Sequence, residues 1–150
     1  MNWTRDKSIL LSLICVWMFA AALLALDVGV WWLARRFFVE LRGAPWQYAL
    51  FTTVSVYLCS VPAWLTLRSL RKLLRKLRAG TVFTEENVRL LRCVSWCCAI
   101  AALVTALNAL YYLPYLFVAV AEGFMALIVR IVKNAFQEAA AMRSELDLTI

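Results

Sequence analysis

The stretch Ile9-Leu-Leu-Ser-Leu-Ile-Cys-Val-Trp-Met-Phe-Ala-Ala-Ala-Leu-Leu-Ala-Leu26 contains no charged residue. The run continues to Ala34 with Asp27 as its one interruption. About 20 mostly apolar residues are enough for a helix to cross a hydrocarbon core. Three more runs qualify by the same measure, from about Trp46 to Leu67, Cys93 to Leu113 and Tyr115 to Val132. Pro62 should kink the second near its end, and Pro114 should make a tight turn into the fourth. The fourth run is broken by Glu122 and Arg130, whose long side chain can snorkel to the interface.

Composition agrees with these spans. Hydrophobic residues make up 65% of the 150-residue chain, against roughly half in a soluble domain. Mean hydropathy is +0.78. A soluble fold could not cover so much apolar surface. The expected class is all-α, an integral membrane four-helix bundle forming a single membrane domain over residues 1–150. The charged start and long apolar run argue against a cleaved signal peptide, since no small-residue cleavage site follows.

Lysine and arginine set the orientation, because they collect on the cytoplasmic side. Arg35, Arg36 and Arg42 lie in the first connection. The other thirteen of the 16 basic residues lie in the amino terminus, the middle connection and the chain from Arg130 through the tail at 133–150. Both termini and the middle connection are therefore expected in the cytoplasm, with the chain in the cytoplasmic membrane. Trp31, Trp32, Trp46, Tyr48, Tyr111, Tyr112 and Tyr115 would then form an aromatic belt near the outer interface. The net charge of +7 sits in connections between spans, which does not suit a nucleic-acid-binding face.

Small residues repeat every fourth position at Ala21, Ala25 and Gly29, and again at Ala119 and Gly123. Such stripes allow close helix approach in lipid. They do not specify whether the partner is another helix of this chain or a second copy, so the oligomeric state stays open.

The middle connection has its own pattern. In Arg68-Ser-Leu-Arg-Lys-Leu-Leu-Arg-Lys-Leu-Arg78 the four leucines share one helical face. Arg68, Arg71, Lys72, Arg75, Lys76 and Arg78 occupy the other. A basic amphipathic helix over 68–79 is expected, suited to anionic lipid headgroups or to an acidic cytoplasmic partner. Gly80 would end it in a left-handed cap. Thr84 would cap the next helix, with Glu85 and Glu86 at its positive end. Phe83 and Val88 have the spacing of a hydrophobic staple. Together these segments predict a cytoplasmic helical hairpin between the second and third spans.

The segment Gly80-Thr-Val-Phe-Thr-Glu-Glu-Asn-Val-Arg-Leu-Leu-Arg92, followed by Trp96, resembles a family of small bacterial membrane proteins known as a domain of unknown function, of the DUF2975 type. The closing Arg143-Ser-Glu-Leu-Asp-Leu-Thr-Ile150 resembles that family's terminal signature, with Leu146 where asparagine is usual. The motif positions so marked are Gly80, Phe83, Thr84, Asn87, Glu145 and Asp147. The resemblance implies four spans and genetic association with small helix-turn-helix regulators. It implies no catalytic residues.

Inside the spans, ionisable groups are costly and often functional. Asp27 and Glu122 each lie about seven residues from the outer end of their span, roughly 10 Å deep at 1.5 Å per residue. Ser55 and Asn108 fall near the same depth, so the four define a candidate intramembrane polar layer. If the acids face each other, they could bind a cation or receive a polar ligand. Pairing with Arg35 or Arg36 is the structural alternative.

No enzyme is expected. The chain has no histidine, no phosphate-binding glycine loop and no nucleophile beside a base. No cofactor is expected either. The five cysteines form no framework, and Cys93 and Cys97 lack further metal ligands. The leading functional expectation is a regulatory or anchoring component engaging a cytoplasmic partner such as a helix-turn-helix transcription regulator. The alternatives are a subunit of an oligomeric small-solute or ion transporter using the intramembrane acids, and a protein that organises anionic lipid.

Overall fold

A computed structural model of the chain describes residues 3–79 and 84–148. It contains α1 (Trp3–Arg35), a π-helical segment (Arg36–Leu41), α2 (Trp46–Arg78), α3 (Glu85–Asn108) and α4 (Tyr115–Leu148). Four helices are long and apolar enough to cross a membrane, as the apolar runs predict. The fold is all-α.

The distribution of polarity is inverted relative to a soluble protein. Phe19, Val28 and Phe117 are exposed, while Thr52, Thr53, Ser60, Ser69, Asn87, Thr105 and Asn108 are buried. Large apolar side chains pointing outward and hydroxyls pointing inward fit a lipid solvent, where polar groups must find partners within the protein.

The helices pack in chain order, α1 on α2, α2 on α3 and α3 on α4. Among the described residues, α1 and α4 do not pack on each other. The π-helical end of the first helix meets the turn between α3 and α4, where Phe37 and Phe38 pack on Tyr111 and Tyr112. The sequence reads 35–42 as a connection because three arginines fall there, but the helix continues to Leu41. The wider π turn directs Phe38 inward to 3% exposure beside Ala34 and Ala49. Gly43 closes this helix with a φ of 61°. Its N–H donates to the Val39 carbonyl at 3.1 Å, and the Ala44 N–H donates to Phe38 at 2.9 Å.

Tyr48, Tyr111, Tyr112 and Tyr115 of the expected belt pack against the cluster of Ala34, Phe38 and Ala49. Tyr48 and Tyr111 stack at 5.5 Å with their rings 8° apart. The tyrosine hydroxyls explain the inward turn, because Thr52 Oγ1 lies 3.1 Å from Tyr111 and accepts from Tyr115 at 3.4 Å. The tryptophans of the expected belt, Trp31, Trp32 and Trp46, are exposed. The third helix stops at Asn108, short of the expected Leu113. Its carbonyl accepts from both Tyr111 and Tyr112 N–H groups in the turn that admits the ring cluster.

At the other end, α2 continues through Pro62 to Arg78 without interruption. The basic segment is thus part of one 33-residue helix, about 50 Å long at 1.5 Å per residue. Likewise, α4 runs to Leu148, so most of the expected tail at 133–150 is helical. The small-residue stripes differ in use. Ala21 and Ala25 are exposed, whereas Ala119 is buried where α4 meets α3.

Candidate functional site

Three polar clusters occupy the interior, all organised by α2. The first joins α1 to α2. Asp27 Oδ2 accepts from Ser60 Oγ at 2.8 Å and from Trp64 Nε1 at 3.1 Å, while its backbone carbonyl accepts from the Tyr57 hydroxyl at 3.0 Å. Its second carboxyl oxygen, Oδ1, is buried and accepts no hydrogen bond from the described residues. Arg36 stacks on Trp32 at 5.2 Å, and neither Arg35 nor Arg36 forms an ion pair with Asp27 among the described residues.

The second cluster lies among α2, α3 and α4. Thr105 lies beside the Glu122 carboxyl, and the Cys59 and Cys98 thiols are near it. Glu122 Oε2 is buried with no hydrogen-bond partner among the described residues. The third cluster is the bond from Ser55 Oγ to Asn108 Oδ1 at 2.7 Å.

This arrangement refines the expected layer. Ser60 contacts Asp27, and its chain neighbour Cys59 lies near Glu122. The acids therefore sit at about the same level, but successive residues on a helix point about 100° apart. Asp27 and Glu122 lie on different faces of α2 instead of facing each other across a shared space. Ser55 and Asn108 sit roughly one helical turn nearer the tyrosine end. The layer also lies farther from the helix ends than the span lengths suggested. Ser60 is fourteen residues from the start of α2, about 21 Å along the helix. The continuation of the first helix to Leu41 moves its end and leaves Asp27 correspondingly farther from it.

The basic end is equally ordered. Arg71 stacks on Trp17 at 4.3 Å. Continuing that antiparallel register places Ile9 about level with Arg78. The face bearing Leu70, Leu73, Leu74 and Leu77 is half-buried where α2 runs beside α1 and α3. It packs partly on protein, where an isolated amphipathic helix would leave it open. Ile9 and Val16 are buried on the α1 side, while Leu10, Leu11 and Ile14 are exposed. Arg68, Lys72, Arg75 and Arg78 are exposed, whereas Arg71 and Lys76 are partly covered.

Lys76 pairs with Glu86 and ties the end of α2 to the start of α3. The Lys76 ammonium holds the Glu86 carboxyl below its ordinary range, by hydrogen bonding first and by charge second. Thr84 caps α3 as expected, its Oγ1 accepting from the Asn87 N–H at 3.4 Å. Asn87 is completely buried, so this motif position is internal. Glu145 is exposed on α4. Gly80 and Phe83 lie outside the described residues, as does the Asp147 side chain; the glycine cap and the staple from Phe83 are therefore not described.

Sequence reasoning missed Ser60, Trp64, Thr105 and Cys59. Helical spacing of polar side chains carries part of the signal. Thr52, Ser55 and Cys59 share one face of α2, as Thr105 and Asn108 share one face of α3. The Trp64 indole gives no such signal.

A family model described as "Protein of unknown function (DUF2975)" matches residues 6–150. The chain belongs to this family. No curated protein and no solved structure matches it.

Proposed function

For this member of the DUF2975 family, we propose a membrane-embedded regulatory or anchoring role in which the basic end engages a cytoplasmic partner. The observation that carries this reading is the composite surface beside the α2–α3 junction. Exposed Leu10, Leu11 and Ile14 on α1 and exposed Arg75 and Arg78 on α2 share the end of the molecule where Arg71 stacks on Trp17. An acidic amphipathic helix would satisfy both halves, burying apolar side chains while pairing with the cations. A helix-turn-helix transcription regulator bearing such a helix is the partner class this reading favours.

Positive charge supports a cytoplasmic position for this end and for both termini. Placing the inner boundary near Arg71 fits the Arg71–Trp17 stack, because tryptophan favours the interface. The last two turns of α2 and the first turns of α1 then stand in the cytoplasm of a bacterial cell. The reading assigns the chain no reaction.

The test replaces Arg68, Lys72, Arg75 and Arg78 by glutamate in the full chain and follows both membrane insertion and recruitment of soluble proteins. Retained insertion with lost recruitment supports docking at this surface. Unchanged recruitment refutes it.

The second reading is a transporter or channel subunit, favoured by the buried, unpartnered oxygens of Asp27 and Glu122. Because the two acids flank α2 on different faces, one path cannot use both directly. Glu122, Thr105, Asn108 and Ser55 would line the path between α2, α3 and α4. Proton- or cation-dependent flux in liposomes, lost in Glu122→Gln but kept in Asp27→Asn, would favour it over docking.

A further inference from the structure

We infer that the groove between α3 and α4 binds one anionic phospholipid from the leaflet at the basic end. The groove encloses about 450 Å³. Its floor is made by Ala99, Ala102, Gly123 and Ala126, with Trp96 as one wall. Ser95 borders the same space, but its hydroxyl already donates to the Ala126 carbonyl at 3.1 Å. The floor is therefore apolar along its length and wants no polar ligand there.

Charge is confined to one end. Arg92, Arg130 and Lys133 line that end, and no carboxylate lines any part of the groove. Among the described residues these three cations form no ion pair. From Arg92 to Ala102 along α3, and from Lys133 back to Gly123 along α4, the groove spans about 15 Å at 1.5 Å per residue. Half of a roughly 30 Å hydrocarbon core is the same length. An acyl chain fits the floor, and the phosphate reaches the cations at the headgroup level. Basic pockets between membrane helices recognise anionic lipid headgroups in this way. A small soluble anion would leave the apolar length empty, and a zwitterionic lipid would bring its own cation against three others.

Gly123 makes the groove testable. A Cβ added there meets nothing within 4 Å, so a side chain can be built from this groove-lining position without a clash at its first atom. The inference rests on the four helices crossing a bilayer and not on the cytoplasmic partner. Lipid binding and partner recruitment can therefore fail separately.

The experiment is native mass spectrometry of the full chain, released from detergent after titration with phosphatidylglycerol or phosphatidylcholine of identical acyl chains. One phosphatidylglycerol should be retained in preference to phosphatidylcholine. Arg92→Gln, Arg130→Gln and Lys133→Gln should each weaken that retention about fivefold, as expected for one basic side chain near an anionic lipid. Gly123→Leu should reduce retention of both lipids while keeping the helical circular-dichroism signal. Arg36→Gln, exposed at the opposite end of the molecule and outside the groove, should change nothing. Equal retention of the two lipids, insensitivity to Gly123→Leu, or a loss at Arg36→Gln as large as at Arg130→Gln would overturn the assignment. Displacement of the lipid by glycerol 1-phosphate at matching concentration would also overturn it, by showing recognition of the anion alone.

Discussion

Replacing Ser55 and Asn108 by alanine, singly and together, separates a structural clasp from a ligand-binding layer. The bond between them is short, 2.7 Å, and joins two helices. Hydrogen bonds between membrane helices average about 0.6 kcal/mol and reach about 1.7 kcal/mol in double-mutant cycles. Asn108 is 8% exposed and Ser55 is half-buried, so neither finds water when its partner is removed. That environment places the coupling in the upper half of the range, about 1–1.5 kcal/mol. Asn108→Ala alone should cost more than Ser55→Ala alone, because it also removes packed volume. The assay is reversible unfolding in mixed micelles, with a denaturing detergent as the variable and helical circular dichroism as the signal. The double mutant should lose less than the sum of the singles by the coupling energy. Additivity within about 0.3 kcal/mol, the behaviour of independent sites, would refute the clasp and leave both side chains free for a ligand.

Other perturbations probe the two ends of the molecule. Gly43→Ala should destabilise the helix end by about 1–2 kcal/mol, the cost of a left-handed residue bearing a Cβ. An unchanged unfolding midpoint would show that this turn does not hold the π-helical segment. At the ring cluster, Tyr111→Phe should cost about 0.5–1.5 kcal/mol for one hydrogen bond. Tyr111→Leu should cost more by losing the Tyr48 stack as well; equal effects would contradict the cluster. Acidification tests the other end. The Glu86 carboxyl is depressed in the folded protein from an ordinary value of 4.5, so its pairing with Lys76 is fully present above that value. It is lost as pH falls through the lower, folded value. Hydrogen exchange at the start of α3 should therefore be steady from neutral pH to the ordinary carboxyl range, after correction for intrinsic rates, and then lose protection. Loss already at neutral pH would contradict the ion pair.

Much of the architecture is legible in apolar run length alone, because a 20-residue uncharged segment has few alternatives to a membrane helix. The cap at Thr84 was equally readable, since its side chain and the following acids act within one turn. Residues 35–42 misled for a physical reason. Arginines mark an interface whether the backbone there is loop or helix, and the sequence offers no clear sign of a π turn. Tyr48 and Tyr111 misled similarly, because aromatic rings at an interface can face lipid or each other with the same composition. The levels of Asp27 and Glu122 followed from counting along spans only as far as the span ends were known. Their placement on different faces of α2 required the register fixed by Ser60 and Cys59. Ala-rich residues beyond Lys133 read as a tail because they lack an apolar face, yet alanine favours helix intrinsically. The groove between α3 and α4 was invisible, since its cations come from two helices far apart in sequence.

The most direct test of the anchoring role is photo-crosslinking from probes at Arg75 and Leu11, two exposed positions on the two halves of the proposed surface. The full chain would be irradiated in its native membrane and the adducts identified by mass spectrometry. Docking predicts that the same soluble protein is captured from both positions and that charge reversal at Arg78 weakens both captures. Capture of lipid alone at both positions would contradict it.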